Sequence, residues 1–198
     1  MIRRFKRRSA NVRPFSLAVV IALIFISAET LSAQANNRSI DGIKQIVAQV
    51  DEQVVESESQ GEYSSVFHSE LVINQLENPW PAVGIYQRTV RFYFTFGDRE
   101  KDPYPNRLLK IAVTTKRSAR HEYEEYVFNP TGQLVFAVVK DRDDAAPDRH
   151  YYFAGNRLIG IQNGPQLVIP KTTKSLFNST SVLNESRKLV NIFRNSLE

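Results

Sequence analysis

The sequence predicts an α+β domain: an antiparallel β-meander of about seven strands, with an N-terminal and a C-terminal amphipathic helix packed on one face of the sheet. Apolar residues recur at steps of three and four near both ends of the chain, as in helices, and at steps of two between them, as in strands. Turns containing proline or glycine separate the alternating segments. Two amphipathic helices need cover for their apolar stripes, and one sheet is the simplest partner for both.

The first 35 residues have the three parts of a cleavable secretory signal. A basic segment is followed by an apolar run from Leu17 to Ile26 and by the small-residue site Ala33-Gln34-Ala35. The run is about half as long as the ~20 apolar residues that span a bilayer. We therefore expect cleavage between Ala35 and Asn36, export to a bacterial periplasm or to the medium, no transmembrane segment after cleavage, and a single domain over residues 36–198.

Removing the signal changes the net charge of the protein. The whole chain has 26 Lys and Arg residues and 21 Asp and Glu residues. The signal carries six of the basic residues and the acidic Glu29, so 20 of each sign remain in the mature chain. A nucleic-acid-binding protein needs a basic excess on one face, and this class is excluded. The chain has no cysteine, which excludes disulfides, thiol catalysis, zinc–thiolate sites and iron–sulfur clusters.

Two helices are predicted at the ends of the mature chain. The first has Ser39 as a suitable N-cap and an apolar stripe at helical spacing, consisting of Ile40, Ile43, Val47, Val50 and Val54. The second runs from Ser181 to Ser196, with charged residues on its outer side, Glu185 among them. Its apolar stripe consists of Val182, Leu189, Val190, Phe193 and Leu197.

Period-two alternation is clearest from Ile85 to Phe96. One face carries Val90, Phe92, Phe94 and Phe96, and the other carries Thr89, Arg91, Tyr93 and Thr95. This pattern indicates one buried and one solvated face, so that alanine at position 94 would cost far more stability than alanine at position 93. Flanking strands are predicted from Val66 to Ile73 and from Leu108 to Thr115. The proline-rich segments 78–81 and 102–106 are predicted to lie outside the β-ladder.

Two hairpins follow these strands. The first joins Glu122 to Phe128 with Gln133 to Lys140, and the second joins Arg149 to Phe153 with Arg157 to Ile161. In each hairpin an aromatic-rich triplet precedes the turn (Tyr126-Val127-Phe128, Tyr151-Tyr152-Phe153) and a leucine follows it (Leu134, Leu158). The pair resembles the hairpins of YD-type repeats and of exported bacterial β-rich proteins of unknown function. That resemblance implies a β-meander and no particular activity.

Residue patterns for catalysis and metal binding are few. The histidines His68, His121 and His150 lack metal-site spacing, and we expect neither a metal nor a cofactor. No serine lies in a nucleophile-elbow motif, and no glycine pattern for nucleotide phosphates is present. Carboxylates on the predicted sheet could serve a hydrolase, although their spacing singles out no pair: Glu70, Glu122, Glu124 and Glu125.

Tyrosines alternating with arginines are the stronger functional signal, because Tyr, Trp and Arg are enriched where proteins bind other molecules. The candidate contact residues are Trp80, Arg91, Tyr93, Tyr123 and Tyr152. The sequence therefore predicts an exported, non-catalytic binding protein whose partner is an envelope protein, a glycan or a small apolar ligand. An envelope hydrolase and a structural assembly subunit with an open sheet edge are the alternatives. Converging ionisable side chains in a pocket would favour the hydrolase, and an aromatic patch without them would favour the binding protein.

Overall fold

The computed structural model describes residues 38–59, 61, 64–141, 147–169 and 173–197. The predicted signal, residues 1–35, lies outside the described residues. Helix α1 covers residues 38–59, and helix α2 covers Thr173–Asn195. The strands described between them are β1 Phe67–Ile73, β2 Pro79–Trp80, β3 Gly84–Phe96, β4 Pro105–Arg117, β5 Arg120–Phe128, β6 Leu134–Asp141, β7 Arg149–Ala154, β8 Arg157–Asn163 and β9 Gln166–Val168.

The strands form one antiparallel sheet in the order β1-β3-β4-β5-β6-β7-β8-β9, and β2 pairs with the first residues of β3. Apart from β2, sequence neighbours are therefore sheet neighbours, which is the arrangement of a meander. The α+β class and the meander are confirmed, and each of the seven predicted strands is present. These strands could be located because their apolar and polar residues alternate, which is the pattern of a strand with one face buried. The additional strands β2 and β9 have two and three residues and are too short to show it.

The predicted boundaries of strands and helices differ from those in the structure at prolines and at the helix N-termini. The two-residue strand β2 belongs to the ladder, and Pro105 opens β4 opposite Phe96. Proline fits a ladder at an edge or at the first residue of a strand, since no partner there needs its missing N–H. Helix α1 already includes Ser39, and α2 begins at Thr173, ahead of the predicted Ser181.

The two helices lie on opposite faces of the sheet. Buried side chains form two clusters, and consecutive residues of β3 alternate between them. Phe92 and Phe94 belong to the cluster that contains Leu189 and Phe193 of α2, whereas Tyr93 belongs to the cluster that contains the α1 residues Ile40, Ile43, Val50 and Val54. The prediction that both helices pack on one face is therefore wrong. The sheet is the middle of three layers, with an α1 face and an α2 face.

The solvated face predicted for β3 is partly wrong for the same reason. Tyr93 is 6% exposed, against 7% for Phe94 on the other face. A tyrosine can bury its ring under a helix while its hydroxyl keeps a polar partner, so a face of mixed polarity need not face water. The predicted assignment of Phe92 and Phe94 to one apolar face, with Phe96 packed against it, is confirmed.

Candidate functional site

The antiparallel register aligns side chains of neighbouring strands in rows across the α2 face. The row that Phe193 of α2 contacts consists of Phe92, Ile111, Tyr126, Ala137 and Tyr151. The next row consists of Val90, Val113, Glu124, Val139 and Arg149. Beyond it lie a row of Arg88, Thr115 and Glu122 and a row of Tyr86, Arg117 and Arg120. The α2 face therefore changes from apolar to charged toward one end of the sheet.

A cleft of about 380 Å³ opens where these charged rows meet α2. Clefts of this size accommodate small ligands. Strands β3 to β7 supply three arginines and two glutamates, and α2 supplies a third glutamate: Arg88, Arg117, Arg149, Glu122, Glu124 and Glu185. Further lining comes from Thr115, Tyr126, Val139, Tyr151, Ser181 and Val182. We call this feature the charged cleft.

The floor of the charged cleft is a network centred on Arg88. Arg88 Nη2 donates a hydrogen bond to Glu185 Oε1 at 2.6 Å and lies 3.8 Å from Glu124 Oε2. Tyr126 is a polar neighbour of Glu124 and acts to lower the pKa of its carboxyl group. Burial raises the pKa of Glu124, and the opposing effect of Arg88 offsets this only in part. The floor therefore holds two partly buried carboxylates close to one guanidinium group.

The mouth of the charged cleft is more cationic than its floor. Arg117 Nη2 lies 3.7 Å from Glu122 Oε2, a loose contact between partly exposed side chains. Arg149 is exposed at the start of β7 and makes no ion pair with any residue that the structure describes. The guanidinium group of Arg149 is therefore available to an incoming anion.

No protein-family model, curated protein or solved structure matches this chain. What the charged cleft can bind therefore follows from its own side chains. Neither described helix is long and apolar enough to cross a membrane. Within the described ranges, no three metal-ligating side chains are grouped closely enough to hold a metal ion.

The structure does not bring the five predicted contact residues together. Tyr93 and Tyr152 are buried on the α1 face, where the Tyr152 hydroxyl donates a hydrogen bond to Gln162 at 2.9 Å. Tyr123 is half-buried on that face and donates a hydrogen bond to Glu125 at 2.8 Å. Arg91 is bound to Glu70 of β1, with 2.7 Å between Nη2 and Oε2.

Trp80 is the fifth predicted contact residue and the one nearest the charged cleft. Its ring lies 4.8 Å, centroid to centroid, from that of Tyr86, which belongs to the last row of the α2 face. Arg117, in the lining of the charged cleft, has its Cζ atom 5.9 Å from the centroid of Tyr86. A contact role for each of the five residues stays a prediction.

The four candidate carboxylates are also divided between the faces. Glu122 and Glu124 line the charged cleft, as their shared parity on β5 predicts. Glu125 lies on the α1 face, where its carboxylate is 2.9 Å from Lys110 Nζ. Glu70 lies on the edge strand β1 with Arg91. Only two of the four therefore share a site.

The residues that sequence reasoning missed are Arg88, Arg149 and Glu185. Glu185 was expected on the outer side of its helix, yet it reaches the sheet and contacts Arg88. One signal was available: Glu185 follows the buried Val182 by three positions and precedes the buried Leu189 by four, which places it on the apolar stripe. A glutamate in a buried stripe calls for a cationic partner on the opposing surface.

Proposed function

We propose that this chain is an exported binding protein and that the charged cleft holds a small polar ligand with a carboxylate group. The observation that carries the proposal is the pairing of charges in the cleft. At its floor, Glu124 and Glu185 are held by Arg88. At its mouth, Arg149 has no ion-pair partner among the described residues and Arg117 has a loose one. An anion is the ligand that completes this arrangement.

The chemistry of arginine favours binding over catalysis here. Its guanidinium group stays protonated at any physiological pH, so it cannot act as a general acid or base. Its planar fork matches a carboxylate with two parallel hydrogen bonds, which provides orientation as well as affinity. The groups that the protein itself leaves unpaired are therefore suited to hold a ligand rather than to move a proton.

A hydrolase is the second candidate, because ionisable side chains do converge in the charged cleft. Burial raises the pKa of Glu124, as in carboxyl groups that act as general acids, and Glu122 and Glu185 line the same cleft. Cleavage of a glycan by the purified protein, with loss of that activity in Glu124→Gln, would select this candidate over simple binding.

The binding site is tested with D-glucuronate as the carboxylate probe and D-glucose as its neutral counterpart. We expect calorimetry to show binding of glucuronate, weakening with added salt, and no comparable binding of glucose. Arg149→Gln should weaken glucuronate binding by about 10- to 100-fold, since a hydrogen bond to a charged group contributes about 1.5–3 kcal/mol.

Arg157→Gln is the matched control, because Arg157 is an exposed arginine outside the lining of the charged cleft. This variant should bind glucuronate like the unaltered protein. Equal binding of glucose and glucuronate, or equal loss in the two variants, would contradict a carboxylate site at Arg149.

Export is tested by the processed N-terminus. Mass spectrometry of the exported protein should find a chain that begins at Asn36, since Ala33-Gln34-Ala35 has the small residues that signal peptidases require. Recovery of intact residues 1–198 from the membrane fraction would contradict cleavage and would indicate that the apolar run acts as an anchor.

A further inference from the structure

The α2 face continues past the charged cleft onto an aromatic pair. Tyr86 shares this face with Arg88 and lies one row further out. The ring of Trp80 packs on that of Tyr86 at 4.8 Å with an interplanar angle of 37°. By strand geometry the Tyr86 row is about 13 Å along the strands from the row of Glu124 and Arg149, and Arg149 on β7 lies a further four strand spacings, about 19 Å, across the sheet from Tyr86 on β3. We call Trp80 and Tyr86 the aromatic platform.

Trp80 is the more exposed ring of the aromatic platform, and Tyr86 is half-buried. Trp80 is 42% exposed, and Val83, whose backbone N–H donates a hydrogen bond to the Trp80 carbonyl, is also exposed. Large apolar side chains grouped at the surface are unusual in a soluble domain unless a partner covers them. Arg117 links the two features, because it contacts the ring of Tyr86 and also lines the charged cleft.

The backbone around the platform is held by hydrogen bonds and by strand pairing. The side chain of Asn74 donates to the carbonyl of Tyr86 at 2.6 Å and to that of Asn78 at 2.8 Å. Trp80 pairs with Gly84, whose φ of +75° allows the chain to turn back into β3. At this glycine a Cβ atom would meet Ser118 Oγ at 2.7 Å. A site ordered in advance loses little conformational entropy when a ligand binds.

We propose that the ligand is an acidic oligosaccharide, with a carboxylate in the charged cleft and a more distant sugar ring of the same chain stacked on Trp80 and Tyr86; this inference rests on the proposed function. A sugar ring has an apolar face that stacks on an aromatic ring and a rim of hydroxyls that need polar partners. Glu122 lies in the row between the platform and the Glu124–Arg149 row and lines the charged cleft, so its carboxylate can accept hydrogen bonds from such hydroxyls. The distance between the two sites exceeds one sugar ring and suits a short chain of them.

The glutamates also argue against a nucleic acid as the ligand. A phosphodiester chain places a negative charge at every step and requires a continuous basic track. Glu122 and Glu124 line the path from the platform to Arg149 and would repel such a chain. An oligosaccharide with separated carboxylates and many hydroxyls avoids this conflict.

The test uses the single tryptophan of the chain, which is Trp80 itself. Its fluorescence reports on the platform alone. The probes are a hyaluronan tetrasaccharide, in which glucuronate alternates with neutral N-acetylglucosamine, the tetrasaccharide of alternating N-acetylglucosamine and N-acetylmuramic acid, neutral cellotetraose, and monomeric glucuronate. We expect at least one acidic oligosaccharide to change the emission of Trp80 and to bind at least tenfold more tightly than glucuronate, which fills the charged cleft only. The first two probes distinguish a uronate chain from a cell-wall glycan.

Variants separate the platform from the cleft. Trp80→Ala should abolish the tenfold gain in calorimetry and leave glucuronate binding unchanged, and Tyr86→Ala should also abolish the gain. Tyr104→Ala is the matched control, since Tyr104 is exposed just before β4, away from the aromatic platform. It should bind all probes like the unaltered protein.

Four results would overturn the inference, and they bear differently on the proposed function. Glucuronate binding without any gain for the acidic oligosaccharides would remove the platform subsite and leave the carboxylate site in place. Equal binding of cellotetraose would remove the requirement for an acidic sugar. Absence of binding by every acidic probe would overturn both proposals, and a Trp80 response to phosphatidylglycerol vesicles alone would assign the platform to a membrane surface.

Discussion

Replacing Tyr93 by alanine is expected to destabilise the protein about as much as replacing Phe94, by about 3–5 kcal/mol in each case. The two residues are adjacent in β3, point to opposite faces and are 6% and 7% exposed. Phe94 packs against Phe193 of α2, with 5.3 Å between ring centroids. Tyr93 packs in the cluster that α1 covers. Chemical denaturation of the two variants gives the free energies of unfolding to be compared.

The matched control is Tyr104→Ala, a tyrosine that is 56% exposed. Its free energy of unfolding should change by no more than about 0.5 kcal/mol, as is usual for surface substitutions. If Tyr93→Ala behaved like this control rather than like Phe94→Ala, the α1 face of β3 would be solvated, and the single-faced sheet predicted by the alternating pattern would be the correct description.

The strands could be predicted from the sequence because alternation is a local pattern. The face of the sheet on which each helix packs could not be predicted in this way. A helical stripe shows that a helix is covered but carries no information about which face of a sheet covers it. On β3 the residues Thr89, Arg91, Tyr93 and Thr95 have the polarity of a solvated face. The central strand β6 is apolar on both sides, which indicates that both of its faces are buried. With α1 on one face of the sheet, the neighbouring strands are buried on both faces as well.

The charged cleft was harder to predict than the fold because it depends on register. Glu122 and Glu124 share a face by alternation alone. That Arg149 belongs in the row of Glu124 follows from the pairings of β5, β6 and β7, and a shift of one residue would send it to the other face. Register is a property of the assembled sheet, so Arg88, Arg149 and Glu185 could not be brought together from sequence distances.

A second large effect is expected at Lys110, the buried cation of the α1 face. Its Nζ atom lies 2.7 Å from Asp51 of α1 and 2.9 Å from Glu125 of β5. The side chains of Lys110 and Glu125 are each 11% exposed. Glu125 also accepts the hydrogen bond of Tyr123, so three polar groups under α1 depend on one another.

Lys110→Met should destabilise the protein by about 3–5 kcal/mol, because it leaves the carboxylate of Glu125 buried without its cation. The double variant Lys110→Met/Glu125→Gln is the control. It removes both charges and keeps an oxygen that can accept the hydrogen bond of Tyr123, so most of the lost stability should return. A double variant as unstable as the single one would show that Lys110 acts through its packing and not through its charge.

The pH dependence of the free energy of unfolding provides an independent test of the role of Lys110. Burial alone would lower the pKa of Lys110, but the carboxylates of Glu125 and Asp51 outweigh it, and the net pKa is raised above the ordinary value of 10.5. A raised pKa in the folded state means that the stabilisation is complete below pH 10.5 and is lost as the pH rises through the folded value. The difference in unfolding free energy between the unaltered protein and Lys110→Met should therefore stay constant at neutral pH and narrow above pH 10.5. A difference that persists unchanged into this alkaline range would mean that the charge of Lys110 does not stabilise the contact between α1 and the sheet.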